Sequence, residues 1–271
     1  MSTVLAILKE IAQAPGLLKE LYGDLAKPGV SQVGKALGSV LGLGNTILWP
    51  ITLMNEKANI ALKRNLEKYR EQIKEVPEDE LTEVPPEIGV PITEKLSYVT
   101  NEELSNLYVN LLAKASTFKT AESAHPSFVN IINNLSPDEA LLLEQFRDTD
   151  ALPYVEARLV KKDNRNQWLT VAELLTDLRV DKLAFPDNLI SYLSNFEGLG
   201  LIKIRKDIFI VNDALYDPIE KRNLPLFDLI QYSKETHEPE LKRRKIEITS
   251  FGQLFIKACL SSLKDQIQQE N

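Results

Sequence analysis

DNLISYLSNFEGLGLIKIRKDIFIV, residues 187–211, decides how the second half of the chain is read. Leu189, Ile190, Leu193 and Phe196 recur at helical spacing, and Gly198 stands where such a helix would stop. Leu201–Arg205 and Ile208–Val211 then read as the two strands of a hairpin across Lys206 and Asp207. Upstream, Ser136 and Glu139 bracket Pro137 in a capping box that launches a helix through Phe146. Val155, Ala157 and Leu159 alternate with Glu156, Arg158 and Val160, which is a strand signal. Thr170 and Glu173 form a second capping pattern and predict a helix to about residue 178. Lys245–Thr249 alternates as a third strand, and Ser250 with Gln253 caps a last helix through Phe255, Ile256 and Leu260. Helix, strand, helix, helix and hairpin is the order of a winged helix, with residues 212–244 enlarging the wing.

The first half reads as helical. Residues 3–25 suggest one kinked helix or two short ones around Pro15 and Gly16. Asn55 opens a charged amphipathic helix with Ile60, Leu66, Tyr69 and Ile73 on its apolar side. Residues 77–91, PEDELTEVPPEIGVP, hold four prolines and five acids and read as an extended linker. A helix over about 101–117 follows, capped by Thr100 and Glu103, with Leu104, Leu107, Tyr108, Leu111 and Leu112 as its stripe. Another starts at His125-Pro126, with Phe128, Ile131, Ile132 and Leu135 inward. The expected architecture is mainly α: N-terminal helices over 1–76, a linker over 77–91, a helical layer over 92–135, and a winged-helix-like α+β domain over 136–271.

The chain has 271 residues, 44% of them hydrophobic and 26% charged, so a sizeable buried core is expected and wholesale disorder is not. One cysteine, Cys259, rules out a disulfide within the chain and points to a reducing compartment. The opening MSTVLAILKE lacks the basic region and cleavage site of a secretory signal, so a cytoplasmic protein, with membrane association left open, is the expectation.

The formal net charge is −7, unevenly spread. Residues 1–70 carry +4, residues 71–150 carry −11 and residues 151–271 carry 0. An acidic middle repels phosphate backbones, so nucleic acid is not the expected partner; a solvated helical surface accounts for the same charges. The predicted recognition helix, 187–197, has no Lys or Arg and two acids, which again disfavours DNA. Lys161, Lys162, Arg243, Arg244 and Lys245 form a candidate basic edge, with a solvated loop flanked by acids as the plainer alternative.

Ala36 to Met54 contains no charged residue, and Gly34, Gly38 and Gly42 fall on one face of any helix formed there. Gly34, Gly38, Gly42, Trp49 and Pro50 therefore mark a candidate helix-packing or membrane segment. Glycines at this spacing allow close helix approach in membranes and in soluble cores alike, and nineteen residues is about the minimum to span a bilayer. Both settings stay open, with self-association or a protein partner expected in either.

No reaction is legible. Residues 29–36, Gly-Val-Ser-Gln-Val-Gly-Lys-Ala, approach the P-loop pattern but put Ala36 where Mg²⁺ needs a hydroxyl. His125 and His237 are far apart in sequence, and Cys259 lies in an apolar stretch that favours a buried, inert thiol. No enzyme activity, cofactor or metal is expected.

Several stretches together resemble the Abi-alpha family: Gly34-Lys-Ala-Leu-Gly38, Asn106-Leu-Tyr-Val-Asn-Leu-Leu-Ala113, His125-Pro-Ser-Phe-Val129, Leu135-Ser-Pro-Asp-Glu-Ala140, Gly198-Leu-Gly-Leu-Ile202 and Thr249-Ser-Phe-Gly252 with Phe255. The resemblance covers most of the chain. It implies a bacterial protein with a role in phage defence through abortive infection, in which an infected cell stops growing or dies. It brings no established catalytic residues.

Overall fold

Leu62, Leu66, Tyr69 and Ile73 recur every three or four residues and are all buried, which fixes the inner face of the first described helix, α1 (Glu56–Ile73). Ile60, expected on that face, is exposed because it lies off this stripe. The computed structural model of the chain describes residues 56–263. The segment marked by Gly34, Gly38, Gly42, Trp49 and Pro50, the P-loop-like residues 29–36 and the helices expected over 3–25 lie outside the described residues.

The chain divides into two compact units. The described part of the first comprises residues 56–140 and 254–263. Its helices after α1 are α2 (Pro86–Leu96), α3 (Glu102–Ala115) and α4 (Ser127–Asn133); α5 (Pro137–Leu143) carries the chain towards the second unit. Residues 86–91 are thus helical and not extended. Pro85 precedes the first turn and Pro86 occupies it, where a missing N–H costs nothing. Every residue from Leu107 to Ala115 is buried, so α3 is the central helix. α1, α2, α4 and a π-turn at Ile256–Leu260 pack on it.

Polar side chains buried in this unit are tied to one another and to backbone. Asn65 Nδ2 donates to Leu96 O at 2.8 Å, and Ser105 Oγ to Asn65 Oδ1 at 2.7 Å. Gln72 Nε2 donates to Asn110 Oδ1 at 2.6 Å, while Asn110 Nδ2 donates to Cys259 O at 2.7 Å. Lys114 Nζ reaches Ser262 O at 3.1 Å. The residues after 253 are therefore held on α3 by hydrogen bonds to their carbonyls as well as by burial of Phe255, Ile256, Cys259 and Leu260.

The second unit, residues 141–253, is built on a four-stranded antiparallel sheet in the order β2-β1-β4-β3. The strands are β1 (Ala151–Lys161), β2 (Trp168–Thr176), β3 (Ile202–Arg205) and β4 (His237–Ile248). Between them lie α6 (Leu189–Gly198) and α7 (Asp217–Asn223); α8 (Ser250–Phe255) follows β4. The described chain is mixed α+β, which corrects the mainly α expectation.

Two winged-helix elements differ from expectation. Residues 168–176 are a strand paired with β1, although Thr170 and Glu173 match a helix cap. The ladder supplies hydrogen bonds along the strand, so tertiary pairing overrides the local capping signal. Ile208–Val211 forms no strand; β3 pairs instead with β4, which is 12 residues long where five were expected. Pairing along β1 also gives β4 its length: Ala151 to Lys161 face Glu247 to His237 without a break.

Candidate functional site: the charged face of the sheet

Residues directly opposite on paired strands share a face of the sheet. Val155, Ala157 and Leu159 face Arg243, Leu241 and Pro239. This side is apolar and is covered by Tyr216, Ile219 and Phe227. Tyr154, Glu156 and Arg158 face Arg244, Lys242 and Glu240 on the other side. β1 is buried on both faces from Tyr154 to Val160, so its charged residues sit in the interior of the unit.

Glu156 is the hub of that charged side. Its carboxylate Oε2 accepts hydrogen bonds from Nε and a terminal nitrogen of Arg158. Arg244 Nε approaches the same oxygen to 3.6 Å, and Lys206 Nζ lies 4.0 Å from Oε1. Lys206 is also 3.8 Å from Glu173 Oε2. Arg158 stacks over Trp168, 4.5 Å from the ring centroid. Tyr154 donates to Arg205 O at 3.2 Å, and burial pushes its hydroxyl above the usual tyrosine range.

β2 is irregular opposite this cluster. Its register against β1 shifts between Val155 and Ala157 and again between Ala157 and Arg158. Leu174, at φ 50°, takes the left-handed conformation that a bulge demands and a leucine resists.

The basic run is not an edge, because β4 is an inner strand of the sheet. Alternation sends Arg243 to the apolar side and Arg244 to the charged side. Arg243 Nε donates to Glu220 Oε1 at 2.6 Å and a terminal nitrogen to Oε2 at 3.0 Å, with Asp213 as a further partner. Its guanidinium lies 5.1 Å from the Tyr216 ring centroid, and these carboxylates raise its pKa. Lys245 pairs with Glu247 at 3.3 Å. Lys161 donates to Gln167 Oε1 at 2.8 Å, and Lys162 to Lys234 O at 2.7 Å. Seven ladder positions separate Lys161 from Tyr154, the partner of Arg244, or about 23 Å along the strand. The structure does not bring the five residues together.

The remaining sites read from sequence resolve as follows. His125 Nδ1 accepts from Ser127 N at 3.1 Å at the start of α4, and His237 Nδ1 lies 2.9 Å from Thr236 Oγ1. Cys259 is buried, and burial raises its thiol pKa well above the ordinary value. Among the described residues no three His, Cys, Asp or Glu side chains gather as a metal site. Among the described residues, too, no helix is long and apolar enough to cross a membrane.

The stretches that carry the family resemblance have structural work. Gly200, at φ +75°, ends α6, with its N–H on Glu197 O at 3.0 Å and Leu201 N–H on Phe196 O at 2.9 Å. That is the role expected of Gly198, which is instead the last helical residue. Thr249 Oγ1 donates to Gly200 O at 2.6 Å and accepts from Gly252 N at 2.8 Å. A Cβ on Gly252 would lie 2.0 Å from Leu201 O, so only glycine fits there. Ser136 and Glu139 form the reciprocal capping box expected of them, at 3.3 and 2.7 Å. Phe128 meets Phe255 edge to face at 5.2 Å.

A family model described as Abortive infection alpha matches residues 61–259. The chain belongs to that family. The match spans the Abortive infection alpha stretches placed above, apart from Gly34-Lys-Ala-Leu-Gly38, which precedes it. No curated protein matches the chain. A solved structure, described as an uncharacterized protein from the hydrocarbon-degrading marine bacterium Alcanivorax borkumensis SK2, is similar to 54% of this chain and 99% of that one, at 16% identity and a TM-score of 0.29.

Proposed function

We propose that this Abortive infection alpha protein acts in phage defence by binding a protein partner and not by catalysing a reaction. The observation that carries the reading is a set of exposed apolar side chains in the second unit. Phe209, Val211 and Leu215 come from the stretch before α7, and Leu224 and Leu229 from the stretch after it. The turns Asp213–Leu215 and Leu224–Asp228 pack against α7, and Val211 and Leu229, just beyond them in sequence, are 93% and 82% exposed. Exposed apolar side chains on both sequence flanks of one short helix suit a protein contact. The ion pairs that occupy Arg243 and Lys245 favour protein over nucleic acid as the partner.

The test is phage challenge of bacteria expressing the chain. Val211→Asp combined with Leu229→Asp should abolish protection while leaving the circular dichroism spectrum and melting curve unchanged. Full protection by this folded variant would refute the reading.

A second reading, membrane action, rests on the uncharged stretch from Ala36 to Met54. It requires the intact protein to enter the membrane fraction and a variant lacking residues 34–54 to leave it. Unchanged localisation and toxicity in Gly38→Leu would count against it.

A further inference from the structure

The charge cluster around Glu156 holds more cations than its carboxylates can serve. Arg158, Arg244 and Lys206 all lie within 4.0 Å of one carboxylate, and Glu173 lies within the same distance of Lys206. With Lys242 and Glu240, which stand opposite Glu156 and Arg158, this side carries four cations against three carboxylates, one positive charge in excess. Arg158 is satisfied by its hydrogen bonds to Glu156. Arg244 is not: its side chain is only 12% exposed, and its Nε is buried with no hydrogen-bond partner. The 3.6 Å approach to Glu156 is an attraction between charges, too long for a hydrogen bond, and the same holds for both contacts of Lys206. A guanidinium cannot shed its proton to escape burial, so an unserved Nε–H is costly unless an acceptor arrives.

We infer that Arg244 and Lys206 form a binding site for the phosphate group of a small ligand. A phosphate oxyanion supplies acceptors for the Arg244 fork and the Lys206 ammonium, and it removes the excess charge. Arg158 stands between this site and Trp168, a residue that is half exposed. A flat ring stacked on Trp168 would therefore distinguish a nucleotide from inorganic phosphate. The site is separate from the apolar residues flanking α7 and does not rest on them.

Calorimetric titration of the full chain at low ionic strength, with inorganic phosphate, pyrophosphate and AMP in turn, tests the inference. Saturable binding of at least one probe is expected, weakened at least tenfold in Arg244→Gln and in Lys206→Gln. Lys206 is 61% exposed, so its variant keeps the fold if Arg244→Gln does not. AMP binding tighter than phosphate, with the gain lost in Trp168→Ala, identifies a nucleotide; equal affinities identify the bare phosphate group. No saturable binding by any probe, or affinities unchanged in Lys206→Gln, overturns the inference.

Discussion

Glu156 shows how one residue can govern a buried cluster. It is 5% exposed and Arg158 8%, so the pair is desolvated and each depends on the other. Glu156→Gln leaves buried cations without their carboxylate and should cost about 3–5 kcal/mol, read from urea unfolding. A loss below about 1 kcal/mol would mean that water already serves those cations. Asp207 makes a different point at the surface. Arg205 donates to both its carboxylate oxygens, at 2.9 and 2.7 Å, and holds its pKa down to about 2. Its folded pKa lies below its ordinary value of 3.8, so its stabilising effect is complete above that value and is lost as pH falls through about 2. An NMR titration of Asp207 should show a midpoint near 2 that returns towards 3.8 in Arg205→Ala.

At the scale of elements, the helices were the most legible part. Phe128, Ile131, Ile132 and Leu135 are buried as their spacing predicts, and Ser136 with Glu139 caps α5. The sheet was less legible. Thr170 and Glu173 imitate a cap inside a strand, and nothing local to them announces the pairing with β1 that decides their state. The charged side of the sheet was hidden for the same reason. Glu156 and Arg158 alternate with Val155, Ala157 and Leu159, and nothing in that alternation shows that the pairing of β1 with both β2 and β4 buries them. Arg244 and its neighbours read as an edge because a sequence run does not reveal which strand is internal. The contact between the end of α6 and the start of α8 yields the prediction at this scale. Gly252→Ala, forced against the Leu201 carbonyl, should cost about 3 kcal/mol, and Gly200→Ala, which meets only the left-handed backbone penalty, about 1 kcal/mol. Chemical denaturation of both variants checks the order.

At the scale of the molecule, the first unit is discontinuous in sequence, because residues after 253 complete the packing around α3. A chain ending at Gln253 lacks Phe255, Ile256, Cys259 and Leu260, all buried in the full protein. It should lose cooperative melting of the helical unit, and an unchanged melt would refute the completing role of this segment. In the intact protein Cys259 should react slowly with a thiol reagent until the unit unfolds, since burial both shields the sulfur and disfavours its thiolate.

The same discontinuity has a consequence for the order of synthesis. The ribosome adds 139 residues between Ala115, the end of α3, and Leu254, or roughly 7–30 s of translation at about 5–20 residues per second. For that interval the nascent α3 lacks the part of its cover that residues after 253 supply, while the intervening sheet unit emerges. The apolar surface left waiting is a natural substrate for a chaperone that binds during translation.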